Sequence, residues 1–216
     1  MIDHSTLCFE LPNLVYDRLG LLSMVTDPRY LPLTFAWTEH SDNTWSTGTA
    51  TDHDLVTLCL GLLRQRWHGN RYQEAEQELL LHPSVMAVIS RLNPELGVTP
   101  HHFHINTFRP GATWGKHIDP GRESVIMLPL DPVDPSAIEF YVDDLVVVHP
   151  YRCATLLNSK ILHDSQPDDR LRIMAQIAIV NTPYARCVQL ARSGELFTAD
   201  ALAAEFNAIR DRVCDR

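Results

Sequence analysis

The amino-acid sequence predicts an α+β fold in which a largely helical N-terminal part precedes a core of short β-strands. Residues 51–96 place apolar side chains at helical spacing, whereas residues 100–182 alternate short β-type runs with turn residues. Short strands punctuated in this way are typical of closed β cores, and helices that precede such a core can cover its outer face. We therefore expect one sheet-based core that is buttressed by helices.

The N-terminal half is predicted to contain an irregular stretch followed by three helices. Residues 1–50 carry only short apolar stretches and several prolines, so they are expected to be irregular. Thr51 or Asp52 can cap the first helix, and Pro83 suits the first turn of the third. The three helical segments read HDLVTLCLGLLRQRW, RYQEAEQELLL and PSVMAVISRL.

The C-terminal half is predicted to supply the strands and one last helix. That helix is expected over the segment TADALAAEFNAIRDRV, where Thr198 or Asp200 can serve as the N-cap. The predicted strands are residues 101–108, 123–130, 137–142, 144–149, 153–158 and 171–180.

Length and composition favour a single globular domain. A chain of 216 residues is long enough to bury one sizeable core, and a hydrophobic fraction of 45% with 21% charged residues is ordinary for a soluble protein. We expect residues 1–99 to form an irregular and helical part, residues 100–182 the strand core and residues 183–216 a helical extension.

The charge, the cysteines and the N-terminus limit the possible partners and the compartment. A net charge of −9 argues against a broad surface for nucleic acid or anionic membrane. The five cysteines are odd in number, widely spaced and lack a C-x-x-C pair, which indicates reduced thiols in a cytoplasmic protein. No signal-peptide pattern is present, and no apolar run approaches the ~20 residues of a transmembrane helix.

The most informative motif is His117-Ile118-Asp119, which is followed far along the chain by His163. Two imidazoles and one carboxylate form the facial triad that holds a non-haem Fe(II) and leaves positions open for a chelating cosubstrate and O2. On an extended chain the i, i+2 spacing places His117 and Asp119 on the same side, and a distant strand must supply His163. The alternative is that the pair lies in a surface loop and that His163 is a core histidine.

Arg172 lies nine residues after His163 and is a candidate to receive the far carboxylate of an acid cosubstrate. In the strand LRIMAQIAIV it shares one face with Met174, Gln176 and Ala178. A guanidinium buried among apolar residues needs an anionic partner, and its planar fork suits a carboxylate. Arg170 has the same parity, but it follows two aspartates and is explained by a surface salt bridge. The alternative for Arg172 is a structural pair with an acidic residue.

The segments NTFRPGATWGKHID and LNSKILHDSQPDDRLRIMAQ resemble the Fe(II)/2-oxoglutarate-dependent dioxygenase superfamily. The resemblance covers approximately residues 100–182 and rests on H-x-D, a distal His and an Arg beyond it. It implies a double-stranded β-helix (jelly roll) core with helices from the N-terminal half and a C-terminal helix around it. Within the superfamily, the second segment is similar to the ending of the aspartyl/asparaginyl and proline hydroxylase group.

The resemblance also implies a ligand set and a reaction. Fe(II) would be held by His117, Asp119 and His163, and 2-oxoglutarate by Arg172 and Asn106. Phe108 stands where several members have a tyrosine, so a phenolic hydrogen bond to the cosubstrate is missing at that position. Halogenating relatives replace the carboxylate ligand by a small residue; because the aspartate is present, hydroxylation is the implied reaction.

Several residues near the motif are candidate substrate contacts. Trp114 could stack on a substrate or pack at the rim, and Gln176 shares the strand face of the key arginine. Lys116 and Arg122 are basic residues beside the triad of an acidic chain, which favours a small substrate that bears a carboxylate.

The histidines that precede the motif are weaker candidates. His104 shares a strand face with Asn106 and is a candidate for the lining of the pocket. His102 and His104 also form an H-x-H pair of the kind that cupins use, although the glutamate that follows this pair in cupins is missing.

Three functions agree with these observations. The leading one is a hydroxylase that uses Fe(II), 2-oxoglutarate and O2 on a small polar molecule such as an amino acid or a natural-product intermediate. The second is a dioxygenase that acts on a protein side chain or a modified nucleic acid, of which the acidic charge disfavours the nucleic acid. The third is a cupin-like metal-binding protein without oxygenase activity.

The polar residues 39–54 could form a lid or an ordinary surface loop.

Overall fold

Two antiparallel sheets form the core of the part of the chain that the computed structural model describes. That part comprises residues 3–27, 34–39, 45–48, 55–59, 82–119, 121–130 and 136–198. Its strands in chain order are β1 Cys8–Glu10, β2 Thr34–Glu39, β3 Trp45–Gly48, β4 Leu55–Cys59, β5 Phe103–Phe108, β6 Ser124–Pro129, β7 Ala137–Val142, β8 Leu145–Pro150, β9 Thr155–Leu157, β10 His163–Ser165 and β11 Arg172–Ile179.

The two sheets are connected in the non-sequential order of a jelly roll. The larger sheet has eight described strands in the order β1-β9-β6-β11-β5-β4-β2-β3, and the smaller has three in the order β10-β7-β8. Ile138 and Phe140 of the small sheet share one apolar cluster with Leu157 and Met174 of the large sheet, so the sheets pack face to face. The predicted α+β class with a jelly-roll core is confirmed.

The central strand β11 separates the protein into a helix-covered side and a cavity side. It pairs with β5 on one edge and β6 on the other, so that Gln176 lies opposite both His104 and Met127. Alternate residues of β11 face opposite ways. Ala175, Ile177 and Ile179 join the main apolar core, whereas Arg172, Met174 and Gln176 line a cavity between the sheets.

Three α-helices among the described residues cover the outer face of the large sheet, and the one that begins at Pro83 matches a helix predicted from the sequence. Their buried residues join the same apolar core as the strands β5, β6 and β11. The helices are α1 Arg18–Thr26, α2 Pro83–Ile89 and α3 Tyr184–Ser193. Pro83 begins α2 as expected, and α3 ends at Gly194, whose φ of 79° closes the helix with a left-handed residue.

The N-terminal half is richer in strands than the sequence indicated. The first predicted helix is wrong in part, because Leu55–Cys59 forms β4 between β2 and β5. A short apolar run that contains β-branched Val56 and Thr57 suits either structure locally, and the free edge of β5 decides in favour of the strand. Residues 1–50, expected to be irregular, contain β1, α1, β2 and β3.

Other expectations fall on residues that the structure does not describe or describes only partly. The predicted helix RYQEAEQELLL and the last helix after Thr198 lie outside the described residues. Of the stretch considered as a lid, Trp45–Gly48 is an edge strand paired with β2, and residues 40–44 lie outside the described residues. Among the helices that are described, none is long and apolar enough to cross a bilayer.

A polar contact joins α1 to α2 and can be tested. The Asp17 carboxylate caps α1 by accepting from the Gly20 amide at 3.0 Å, and it also accepts from Ser84 Oγ of α2 at 2.8 Å. These hydrogen bonds, led by the one from Gly20, hold the pKa of Asp17 below its ordinary value.

We expect Asp17→Ala to lower the free energy of unfolding at pH 7 by about 1–2 kcal/mol, because a cap and a helix-to-helix hydrogen bond are lost together. A carboxyl group whose pKa is depressed by folding stabilises above its unfolded pKa, about 3.9, and loses this effect as the pH falls through its folded pKa. The difference between the proteins should therefore shrink below about pH 4 in urea denaturation. Asp144→Ala, an exposed change in the turn between β7 and β8, should stay within about 0.5 kcal/mol at both pH values.

Candidate metal centre

His117, Asp119 and His163 lie together at one wall of the cavity between the sheets. The Nε2 atom of His117 is 3.9 Å from Asp119 Oδ1, and the Nε2 atom of His163 is 3.9 Å from Asp119 Oδ2. One ligand atom from each residue lies within 4.8 Å of the others. The structure thus brings together the three residues that the sequence motif singled out, across more than forty positions of chain between the aspartate and His163.

Backbone hydrogen bonds hold the two histidines in register. The His117 amide donates to the His163 carbonyl and the His163 amide donates to the His117 carbonyl, each at 2.9 Å. The Asp119 amide donates to the Ser159 carbonyl at 3.1 Å. The sequence placed His117 and Asp119 on an extended strand and His163 beyond a turn. In the structure His117 forms a single isolated bridge, and His163 begins the unpredicted strand β10.

The Nδ1 atoms of both rings are already engaged, which fixes the tautomers. His117 Nδ1 lies 2.7 Å from the Gly115 carbonyl oxygen, and His163 Nδ1 lies 2.7 Å from the Ile161 carbonyl oxygen. A carbonyl can only accept, so each Nδ1 must carry the proton and each Nε2 keeps its lone pair. Burial lowers the pKa of His163, which keeps that ring neutral. Orientation of this kind is typical of histidines that bind metal ions.

The donor set fits a divalent metal ion. Neighbouring ligand atoms that are each about 2.1 Å from an octahedral ion lie about 3.0 Å apart, so rotations of these side chains that shorten the two 3.9 Å pairs would bring all three donors to one ion. Two imidazoles and one carboxylate on one side are the donors of non-haem Fe(II) sites, where the other positions remain open. In this chain the open side faces the cavity.

The cavity has a volume of about 290 Å³, is lined by side chains from both sheets and has a mostly apolar surface. Its size lies just below the range of roughly 300–1,000 Å³ that is usual for small-molecule sites. Polar groups are nevertheless numerous in its wall. They come from Asn106, Asp119, Arg122, Tyr151, Arg172, Gln176, the two histidines and three serines.

Arg172 is the most deeply buried charged residue of the cavity, with 2% of its surface exposed. Its Nη1 donates to the Gln166 carbonyl at 2.6 Å, and its Nη2 donates to the Ala112 carbonyl. Its Nε atom is buried and has no hydrogen-bond partner. Burial lowers the pKa of Arg172, and this effect exceeds the opposing effect of Asp168, Tyr151 and Asp164. Such a group is suited to an anionic ligand.

Arg170 and Phe108 clarify the role of this arginine. Arg170 pairs with Asp168, with Nε to Oδ1 at 3.1 Å and Nη2 to Oδ2 at 2.9 Å, as the sequence indicated for a surface salt bridge. Phe108 faces Arg172 across the β5–β11 pairing, and the guanidinium lies 4.6 Å from the centre of its ring. The aromatic ring that stands in place of a tyrosine thus packs under the guanidinium.

The other residues predicted around the site divide into those that reach the cavity and those that do not. Asn106, Trp114, Arg122 and Gln176 line it. Arg122 lies 3.7 Å from Asp119 Oδ1 through Nη2, and its Nη1 donates to Gln176 Oε1 at 3.3 Å. It therefore connects the Asp119 carboxylate to the strand that carries Arg172.

Lys116 is not brought into the wall of the cavity, whereas His104 lies beside it. His104 is buried beyond Asn106 on the same face of β5, and burial lowers its pKa to about 3. Its partner on β11, Gln176, does line the cavity, so the expectation that His104 contributes to the lining stays a prediction. The Lys116 ammonium instead lies 3.9 Å from the centre of the Tyr141 ring.

Four polar residues of the cavity were not predicted from the sequence. Ser136 precedes β7, Tyr151 follows β8, Ser159 lies in the turn after β9, and Ser165 ends β10. Ser165 could have been found, because it stands two residues after His163 and so has the same strand parity. No local sequence pattern marks Tyr151 as a cavity residue. It reaches the cavity because the pairing of Pro150 with Ala137 fixes the position of the residue that follows.

Several solved structures are similar to this chain. They include a prolyl hydroxylase from Trichoplax adhaerens, with a TM-score of 0.48, 17% identity and coverage of 83% of this chain and 86% of that one. A 2OG-Fe(II) oxygenase family protein from Burkholderia pseudomallei gives a TM-score of 0.49 and 12% identity, with coverage of 81% and 85%. The Escherichia coli ribosomal oxygenase YcfD gives a TM-score of 0.42 and 13% identity, with coverage of 84% of this chain and 50% of that one.

No family model and no curated protein matches the sequence. Because the TM-scores of these three structures lie below 0.5, the residues of the cavity must carry the assignment of function.

The triad predicts that His163→Ala loses Fe(II). With one of three protein donors removed and no further histidine or carboxylate in the described cavity wall, Fe(II) affinity should fall at least tenfold in an anaerobic titration. His102→Ala is the matched control, because this histidine lies outside the cavity and should leave affinity unchanged. Unaltered iron binding in His163→Ala, with a loss in His102→Ala, would instead assign the metal to the H-x-H pair.

Proposed function

We propose that this protein is a non-haem Fe(II)- and 2-oxoglutarate-dependent oxygenase that hydroxylates a small polar substrate. The observation that carries the proposal is that one cavity contains both a two-histidine, one-carboxylate triad and a buried arginine with an unpartnered Nε. A metal with open positions and a separate anion site are what a chelating dicarboxylate needs at its two ends.

Each end of the cosubstrate has its own residues. His117, Asp119 and His163 would hold the iron, and the Nε and remaining Nη protons of Arg172 would receive the distant carboxylate. Two of the five guanidinium protons bind backbone carbonyls, which orients the fork and leaves three donors. Asn106, 1% exposed on β5, would add an amide contact between the two ends.

Tyr151 would supply the phenolic hydrogen bond that Phe108 cannot make. It lines the cavity, and the charge of Arg172 acts on its hydroxyl group. Burial raises the pKa of Tyr151, so the hydroxyl keeps its proton and can donate to a carboxylate. The aromatic ring of Phe108 then serves as the support of the guanidinium, while the donor comes from the end of β8.

The remaining residues prepare the cavity for an oxidation. When bound, Fe(II) and 2-oxoglutarate supply activation of O2, with release of CO2 and succinate and insertion of one oxygen atom into a C–H bond. The apolar side chains Val125, Met127, Ile138, Leu157 and Met174 exclude water from this space. Arg122 holds one oxygen of Asp119 and so limits the rotation of that carboxylate.

A small substrate agrees with the dimensions and charge of the cavity. The cosubstrate would take part of a volume of about 290 Å³, which leaves room for a molecule of amino-acid size or for one protein side chain. Arg122 is the basic residue at the open side and could receive a substrate carboxylate, while Trp114 offers an apolar ring edge beside His117. These contacts favour a free carboxylate-bearing molecule over a residue within a chain.

A cupin-like protein without oxygenase activity is the competing function. It is favoured by the two carbonyl contacts of Arg172, which would suffice for a purely structural arginine. It leaves the buried Nε of that residue without a partner.

The cosubstrate site predicts that Arg172→Ala raises the apparent 2-oxoglutarate constant at least tenfold. Removing one partner of a buried charge-assisted pair costs about 2–5 kcal/mol, and about 1.4 kcal/mol is one factor of ten. Tyr151→Phe should raise the same constant by a smaller factor, because a neutral hydrogen bond is weaker. The constant is measured from 2-oxoglutarate turnover at saturating Fe(II).

Arg170→Ala is the matched control, since this arginine is occupied by Asp168 and should leave the constant unchanged. Retained Fe(II) affinity in Arg172→Ala would show that the variant is folded. If the two arginine variants rank in the opposite order, the assignment of the carboxylate to Arg172 is wrong.

The proposed reaction predicts that the protein releases succinate. With Fe(II), O2 and 2-oxoglutarate, the protein should release succinate slowly alone and faster with its true substrate, and Asp119→Ala should abolish both rates because the iron is lost. Succinate is quantified across free amino acids, other small carboxylic acids, short peptides and methylated nucleotides. Stimulation by peptides alone would move the assignment to a protein substrate. Absence of succinate while iron is bound would favour the cupin-like protein.

A further inference from the structure

A second cluster of metal-binding side chains lies away from the cavity triad, where the N-terminal segment meets the small sheet. His4 belongs to a short 3-10 helix, Cys8 begins β1 at the edge of the large sheet, and His149 lies near the end of β8. One ligand atom from each of the three residues lies within 4.8 Å of the others. Two parts of the chain that are distant in sequence, the segment of residues 4–8 and the end of β8, thus converge on one point.

The distances within this cluster match those of a tetrahedral metal site. Cys8 Sγ is 3.6 Å from His4 Nδ1. A sulfur about 2.3 Å from a zinc ion and a nitrogen about 2.1 Å from it lie about 3.6 Å apart at the tetrahedral angle. Glu10, two residues after the cysteine on β1, brings its Oε1 atom to 4.0 Å from His149 Nε2. The three clustered residues therefore offer one sulfur and two nitrogens, and rotation of the exposed Glu10 side chain beside His149 would add a carboxylate.

A hydrogen bond between Cys8 and His4 does not account for the whole cluster. It satisfies those two side chains but leaves the Nε2 atom of His149, which is buried and has no hydrogen-bond partner. The residue is only 7% exposed, and a buried polar atom without a partner is unfavourable. An ion at the centre of the cluster would give this nitrogen a partner, which makes the orphaned atom an observation independent of the clustering itself.

We propose that His4, Cys8 and His149 form a second metal site that binds Zn(II), with Glu10 as the fourth ligand. Sulfur and imidazole donors in a four-ligand set favour zinc, whereas the cavity triad offers only nitrogen and oxygen and suits iron. Four protein ligands leave no open position, so this site is structural. It ties the segment around residues 4–10 to β8 and thereby connects the edge of the large sheet to the small one.

Binding at this site requires a proton to leave. A metal ion binds the Cys8 side chain as a thiolate, so binding releases the thiol proton to solvent. His4 and Glu10 are exposed, which leaves the ion a route of entry from solvent.

Cobalt(II) tests the proposal, because sulfur ligation has its own spectroscopic signature. Added stoichiometrically under a non-thiol reductant, Co(II) should produce a thiolate-to-cobalt charge-transfer band, which Zn(II) should abolish by displacement. The cavity triad contains no sulfur, so it cannot give this band. The band should persist in His163→Ala, and this result would hold even if the proposed oxygenase function failed.

Matched variants identify the ligands. Cys8→Ser should abolish the band, and Cys153→Ser should retain it, because Cys153 is a free thiol outside the cluster. Should Cys8→Ser fail to fold, the exposed His4→Ala provides the second test and should weaken Co(II) binding at least tenfold. Absence of the band from the wild type, its persistence in Cys8→Ser or unchanged binding in His4→Ala would each overturn the proposal.

Discussion

The pair of backbone hydrogen bonds between His117 and His163 is the constraint on which the candidate site depends. Each residue donates to the other at 2.9 Å, so the loop that follows β5 is held against β10 of the small sheet. Because these hydrogen bonds join backbone atoms, they bring the two imidazoles together independently of any side-chain interaction. The Nδ1 contacts to Gly115 and Ile161 then rotate both rings so that Nε2 is offered to an ion. The local sequence thus decides which donor atoms are present, whereas the backbone pairing of His117 with His163 decides where they lie.

The central strand β11 connects the same site to the stability of the fold. One of its faces supplies the apolar core beneath the helices, and the other carries Arg172 and Gln176 into the cavity. Burial of a guanidinium at this depth is unfavourable unless its N–H groups have partners. Two backbone carbonyls accept from two of them, and the Phe108 ring packs against the group. The unsatisfied Nε is where the structure leaves room for an anion. The buried His149 Nε2 is a second polar atom without a hydrogen-bond partner, at the N-terminal cluster, and it supports the proposed metal site there as the Arg172 Nε supports the proposed cosubstrate site.

The strand core was predictable from the sequence more reliably than the N-terminal half, for a physical reason. The runs that form β5 to β9 and β11 have turn residues at both ends, and the alternation along β11 is sufficient to place Arg172 on the face opposite the apolar core. Leu55–Cys59 has apolar spacing compatible with a helix, and only pairing with β5 and β2 makes it a strand. The strand β10 has three residues, too few for a periodic signal, so that His163 was expected beyond a turn.

The sequence by itself determined the chemistry of the candidate site: the H-x-D spacing, the distant histidine and the arginine whose parity differs from that of the apolar core face. Tertiary structure decided which residues meet. It brought Tyr151, Ser159 and Ser165 to the cavity, left Lys116 outside its wall and gathered His4, Cys8 and His149 at a second point. The physical reason is that side-chain alternation is a property of the local chain, whereas distances between segments depend on the register in which strands pair. A shift of one residue in that register would turn each of these side chains to the opposite face.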